Sequence, residues 1–163
     1  AITATIGRRE IMEAAQKSFI SSTFWTERIG PSAAIKTLEV MKRERSWEQI
    51  STIGESIKSK WQSLADLHNL DISIIGLKAL PAFSFDSKNH LAYKTLLTQE
   101  MLKKGYLASN AVYVSMVHTP EVIEKYFYEL DNIFKKIKKC EEGKDILKML
   151  EGPICHSGFT RLN

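Results

Sequence analysis

The chain has 163 residues, of which 44% are hydrophobic and 26% charged, enough for one soluble globular domain with a real core. No apolar run approaches the roughly 20 residues that span a bilayer, and no signal peptide is visible, so no membrane partner is expected. The net charge of +4 invites a nucleic-acid reading. Its distribution argues against one: Lys42-Arg43-Glu44-Arg45 and Lys135-Lys136-Ile137-Lys138-Lys139 fall at expected helix ends, where cations complement the helix dipole. No aromatic residues interleave with them as on a base-stacking surface, and no nucleic-acid partner is expected.

The chain opens Ala1-Ile2-Thr3-Ala4-Thr5-Ile6-Gly7-Arg8-Arg9-Glu10-Ile11-Met12, without an initiator Met. The β-branched residues up to Ile6 favour a strand, and a helix follows from Arg8. Such a beginning fits the interior of a longer protein. A first long helix is expected from Ile29-Gly30-Pro31, because proline is tolerated where its missing N–H has no partner to lose. Ala34, Ile35, Leu38 and Met41 recur at helical spacing, and Ser46 is placed to cap a second helix.

That second helix has the clearest period in the chain. Trp47, Ile50, Ile53, Ile57, Trp61, Leu64 and Leu67 or His68 share one stripe, with Glu48, Glu55, Lys58, Lys60 and Asp66 opposite. After Asn69 the period shortens to two, so residues 71–77 and 80–86 read as strands. A third helix runs over about 90–104 and stops at Gly105. Residues 110–117 alternate again, with Val112, Val114 and Met116 on one side and Tyr113 and Ser115 on the other. Thr119 and Pro120 open a fourth helix with Val122, Ile123, Tyr126, Phe127, Leu130, Ile133, Phe134 and Ile137 on its apolar face. Gly143 precedes a last short helix, 144–150, and the remainder is irregular. The order predicts an α+β fold, a small and mostly antiparallel sheet covered by helices.

Chemistry is not declared by the residues alone. His68, His90, His118 and His156 have no His, Cys or carboxylate at metal-ligand spacing, so no metal site is expected. There is no Walker loop, GxGxxG or GxSxG motif. Cys140 and Cys155 form no CxxC pair; they fit free thiols in a reducing cytoplasm, with a disulfide between them as the alternative. His118 reads as a structural hydrogen-bonding residue, and Arg8 and Arg9 as exposed or contact arginines.

Two segments add a direction. Gly7-Arg8-Arg9-Glu10-Ile11-Met12 is followed by Ser21-Ser22-Thr23-Phe24-Trp25-Thr26-Glu27-Arg28-Ile29-Gly30-Pro31-Ser32-Ala33-Ala34, and Val114-Ser115-Met116-Val117-His118-Thr119-Pro120-Glu121 comes later. In this order they resemble the class III (fold type I) pyridoxal-phosphate-dependent aminotransferases, particularly the glutamate-1-semialdehyde aminomutase branch. The resemblance covers roughly residues 1–138 and departs by a small insertion between Thr23 and Pro31.

The resemblance implies that residues 1–27 are the tail of a cofactor-binding large domain and 28–163 a small C-terminal α+β domain. It implies pyridoxal 5′-phosphate as cofactor, a small-molecule amino substrate, a homodimer and a cytoplasmic location. The reaction would move an amino group through a Schiff base on a lysine that aligns before Ala1, so the catalytic residues would lie outside this chain and the chain alone would be inactive. Thr23, with Ser22 beside it, would reach the cofactor phosphate of the other subunit. Many family members carry an arginine before a glycine in the first C-terminal strand, where it grips a carboxylate; here that stretch is Ile74-Ile75-Gly76-Leu77-Lys78. The rival expectation is a self-standing α+β interaction module without catalysis.

Overall fold

A computed structural model describes residues 3–18 and 27–158. They divide into two units, 1–46 and 47–163, and each is taken by itself. In the first unit, residues 3–7 form no strand and are exposed, Ile6 at 92%. The β-branched run favours an extended strand, but a strand needs a partner edge, and propensity alone does not supply one. Helix α1 spans Arg9–Ala15 and α2 spans Ile29–Glu44.

The N-terminus of α2 is held by a residue that the sequence pattern does not single out. The Glu27 carboxylate accepts from the Ile29 N–H and from the Gly30 N–H at 3.0 and 3.1 Å. These are orphan donors of the first turn, and a negative charge there also meets the positive end of the dipole. At the other end Arg45 takes a left-handed conformation, φ 48°, and ends the helix. Ser46 does not act as the expected cap: it lies inside α3 (Ser46–Leu67), and its hydroxyl has no hydrogen-bond partner among the described residues.

The second unit carries the core. Strands β1 (Ile72–Leu77) and β2 (Leu80–Phe85) form an antiparallel hairpin with Ile72 opposite Phe85 and Leu77 opposite Leu80, leaving Lys78 and Ala79 as the turn. Alternation then decides the faces. Phe83 and Phe85 are buried with Ile72 and Ile74 beside them, while Ser73 and Ile75 face out. Helix α3 supplies Ile57, Trp61, Leu64 and Ala65; α4 (His90–Lys103) supplies Tyr93, Leu96, Leu97 and Met101; α5 (Pro120–Glu141) supplies Phe127, Leu130, Phe134 and Ile137.

Five rings knit these elements together. Trp61 sits 4.8 Å from Phe83, Phe85 lies 5.4 Å from Phe134, and Phe85 meets Tyr93 edge-on at 5.7 Å. Such pairs contribute about 0.5–1.5 kcal/mol each beyond the area they bury. The α3 stripe holds in its middle but not at its ends, where Trp47 and Leu67 are exposed. Of the two alternatives for the last position, His68 takes it, with Nε2 2.6 Å from Asp131 Oδ1 on α5.

Gly54 explains how the hairpin sits on α3. A Cβ at this position would lie 1.7 Å from the Lys78 carbonyl oxygen in the β1–β2 turn. A glycine costs a helix interior about 1 kcal/mol relative to alanine. Here that cost permits backbone to approach backbone. Gly105 serves a different purpose. With φ 83° it ends α4, its N–H donating to Leu102 O at 2.9 Å and that of Tyr106 to Met101 O at 3.0 Å. These two bonds close a Schellman motif.

Residues 110–117, expected as a strand, run along the free edge of β2 without becoming one. Phe83 N–H donates to Asn110 O at 2.9 Å, Val112 N–H to Pro81 O at 3.0 Å and Val114 N–H to Ala79 O at 3.0 Å, with one bridge between Ala82 and Ala111. The ladder is too sparse for a regular strand, yet the sides are as expected: Val112 and Val114 pack on the core and Tyr113 is exposed.

Beyond α5, the expected helix over 144–150 shrinks to a 3₁₀ turn, Leu147–Met149. Side chains of α4 bind this segment directly. Gln99 donates to Met149 O at 3.0 Å and accepts from Glu151 N–H at 2.8 Å, and Thr95 accepts from Cys155 N–H at 2.9 Å. Those bonds satisfy the backbone without helix.

Candidate functional site

The turn before α5 is where sequence and structure meet most closely. Thr119 caps the helix, its hydroxyl accepting from the Val122 N–H at 3.4 Å, and Pro120 occupies the first turn. One residue earlier, His118 Nδ1 accepts from the Ser115 N–H at 3.1 Å. The ring thus closes the Ser115–His118 turn, the structural role expected of it. Because Nδ1 is an acceptor, the neutral ring carries its proton on Nε2.

His118 also lines a cavity of about 310 Å³. Its walls come from Ile57 on α3, from Ala108 and Val112 on the approach to the turn, and from Val122 and Tyr126 in the first turns of α5. No Asp, Glu, Lys or Arg is among the lining residues. Tyr126 is one of these walls; its Oη accepts from Trp61 Nε1 at 3.2 Å, and burial pushes the phenol up to about 12 against the lowering pull of that indole donor. Tyr126 therefore keeps its proton near neutrality. The sequence places Tyr126 only on an apolar face; the signal available was that a buried tyrosine tip needs a polar partner.

A second polar assembly lies on α4. The Glu100 carboxylate accepts from Lys136 on α5 and from Lys103 at 2.9 Å, and Lys103 also reaches Glu151 at 2.6 Å. Burial alone would raise the Glu100 pKa. Hydrogen bonds from Lys136, Gln99 and Lys103 outweigh it and hold the carboxyl at about 2. This network fastens α5 and the C-terminal segment to α4.

Ser22 and Thr23, expected to contact a cofactor phosphate, lie outside the described residues. Arg8 and Arg9 are exposed. Cys140 is buried and Cys155 partly so, and both are free thiols. Among the described residues no group of three His, Cys, Asp or Glu is placed to hold a metal ion, and no helix is long and apolar enough to cross a membrane. The basic residues Lys42 and Arg43, and Lys138 and Lys139, occupy the last turns of α2 and α5, as their pattern implied.

Comparison with known proteins finds relatives that bear aminotransferase or transaminase names. No family model matches the chain. It is 30% identical over 100 residues to the 3-aminobutyryl-CoA aminotransferase of Cloacimonas acidaminovorans (strain Evry), covering 61% of this chain and 24% of that protein. It is 20% identical over 138 residues to the aminopentol aminotransferase of Sphingopyxis macrogoltabida, covering 83% and 33% of the two chains. A 2′-deamino-2′-hydroxyneamine transaminase of Streptomyces kanamyceticus is 22% identical over 138 residues, 81% of this chain and 35% of its own.

The fold is similar to that of the FumI protein of Sphingopyxis sp. MTA144, solved in its PLP internal aldimine form. The TM-score is 0.71 at 18% identity, over 85% of this chain and 34% of that one. The α+β architecture expected from sequence is therefore the architecture of part of that protein. The chain spans about a quarter to a third of the length of the curated relatives it matches.

Proposed function

We propose that this chain is the C-terminal part of a pyridoxal-phosphate-dependent aminotransferase or aminomutase. In this reading residues 1–27 are the tail of the cofactor-binding domain and 28–163 the small domain. The observation that carries the proposal is the likeness to FumI over 85% of the chain, alongside three relatives that all bear aminotransferase or transaminase names. The match to the aminomutase branch rests on the motifs around Gly7 and Ser115 alone.

Pyridoxal phosphate, when bound, supplies an electron sink through which an amino group moves. The cavity beside His118 does not fit it, having no charged residue to meet a dianionic phosphate. The group that reacts with the cofactor aldehyde belongs, in this proposal, to the part of the relatives' length that this chain does not span. What this chain contributes is one contact, the Thr23 hydroxyl donating to the phosphate held by the other subunit of a homodimer, with Ser22 as its neighbour. A hydrogen bond to a charged group contributes about 1.5–3 kcal/mol.

The substrate is a small amino compound. Ile75, where many family members place a carboxylate-gripping arginine, is an exposed apolar side chain, and Lys78 turns instead to Glu55 at 3.4 Å. This favours an amino donor or acceptor that is not gripped through a carboxylate at that point, and it keeps intramolecular amine transfer beside transamination.

Thr23→Ala in the full-length protein tests the phosphate contact. Cofactor dissociation, followed by the visible absorbance left after gel filtration, should rise about tenfold or more. Unchanged retention removes Thr23 from the site. For the isolated chain, equimolar cofactor followed by borohydride should leave no lysine stoichiometrically modified by mass spectrometry. One fully modified lysine would overturn the assignment of the reacting group to another part of the protein.

A further inference from the structure

The cavity beside His118 is not used by the proposed aminotransferase role and is argued independently of it. Its volume, about 310 Å³, is within the range of small-molecule sites, and its lining is apolar with a few polar tips, the usual make-up of such sites. That volume is the share of about ten water-sized groups, which suits an aliphatic body of some eight carbons with a small head.

The polar tips are alike in one respect: each offers a proton. His118 uses Nδ1 to accept from Ser115 and keeps its hydrogen on Nε2. Tyr126 uses its oxygen to accept from Trp61 and keeps its own hydrogen to donate. His118 lies just before α5, a helix of 22 residues whose N-terminal end carries partial positive charge, and Tyr126 lies in its second turn. No carboxylate among the lining residues competes for these donors.

We propose that this cavity binds a medium-chain carboxylate, its apolar chain against Ile57, Val122 and Ile123 and its head received by His118 and Tyr126. Apolar burial supplies the affinity and the donors supply the choice of head group. An alcohol of the same chain length has one acceptor oxygen and no charge, so it is the discriminating control.

Octanoate titrated into the full chain, followed through the methyl NMR signals of Ile57, Val122 and Ile123, tests this. Saturable shifts of those methyls are expected, with octanol binding at least tenfold more weakly. Val122→Trp, at a half-exposed position, should fill the cavity and abolish the shifts. Ala111→Leu is a second filling variant should the first fail to fold. Tyr126→Phe should weaken octanoate about tenfold and leave octanol unchanged. No saturable shift, a shift that survives the filled cavity, or octanol binding as tightly as octanoate would each overturn the proposal.

Discussion

Helices α2 and α5 are written in the same pattern and end in different surroundings. Each has apolar residues at helical spacing, a proline in its first turn and two basic residues in its last. Yet α5 buries Ile123, Phe127, Leu130, Ile133, Phe134, Ile137 and Cys140, whereas α2 buries nothing, and Ile35, Leu38 and Met41 are exposed. What differs is the company. The α5 stripe meets Trp61, Phe83, Phe85 and the α4 leucines. Periodicity tells which face would be buried; whether it is buried depends on a partner surface that the helix does not encode.

The largest test of this contrast is Phe134→Ala. The ring is fully buried, 5.4 Å from Phe85 and 6.0 Å from Phe83, so truncation leaves a cavity that neighbours cannot fill. The loss should be about 3–5 kcal/mol, read from the urea midpoint at constant slope. A loss below about 1 kcal/mol would mean that α5 is no better packed than α2.

Electrostatics should separate the two helices in the same direction. Glu100, with 16% of its side chain exposed, joins α4 to Lys136 of α5, while the Lys36–Glu39 pair of α2 is exposed at 70% and 58%. Exposed pairs contribute about 0–1 kcal/mol. For Glu100 the folded pKa, about 2, lies below the ordinary 4.5. Its contribution is therefore present above pH 4.5 and is lost as pH falls from there toward 2. Glu100→Gln should cost on the order of 2 kcal/mol at neutral pH and flatten stability across that acid window. Glu39→Gln should cost no more than about 1 kcal/mol at neutral pH. Equal losses for the two variants would erase the distinction.

The same contrast sets what was legible in the sequence. The hairpin of 72–85, the span of α5, its Thr119 cap and the stop at Gly105 each follow from a local rule: alternation, period, or a residue with one suitable conformation. The errors fall where a tertiary partner decides. Residues 3–7 have strand propensity and meet no strand edge among the described residues. Residues 110–117 alternate correctly, but bond to β2 too sparsely for a strand. Ser46 has the side chain of a cap and sits inside the helix. Gly54 carries a readable sign, a glycine inside a helical stripe, but what it meets, the Lys78 carbonyl, is 24 residues away. The cavity beside His118 was invisible for the same reason: its walls come from α3, the 106–113 stretch and α5, which only the fold brings together.

The smallest expected effect is the most informative about α2. Leu38 is 64% exposed, so Leu38→Ala removes little buried area and replaces leucine with a residue of higher helix propensity. Its effect on the stability of this chain should be within about 0.5 kcal/mol. The measurement needs two protein concentrations, because an uncovered apolar face can be covered by another copy. An effect that is small at both concentrations leaves α2 exposed in solution. A loss above about 2 kcal/mol that grows with concentration would mean the stripe of α2 is buried between copies, and the difference between the two helices would become one of partner rather than of burial.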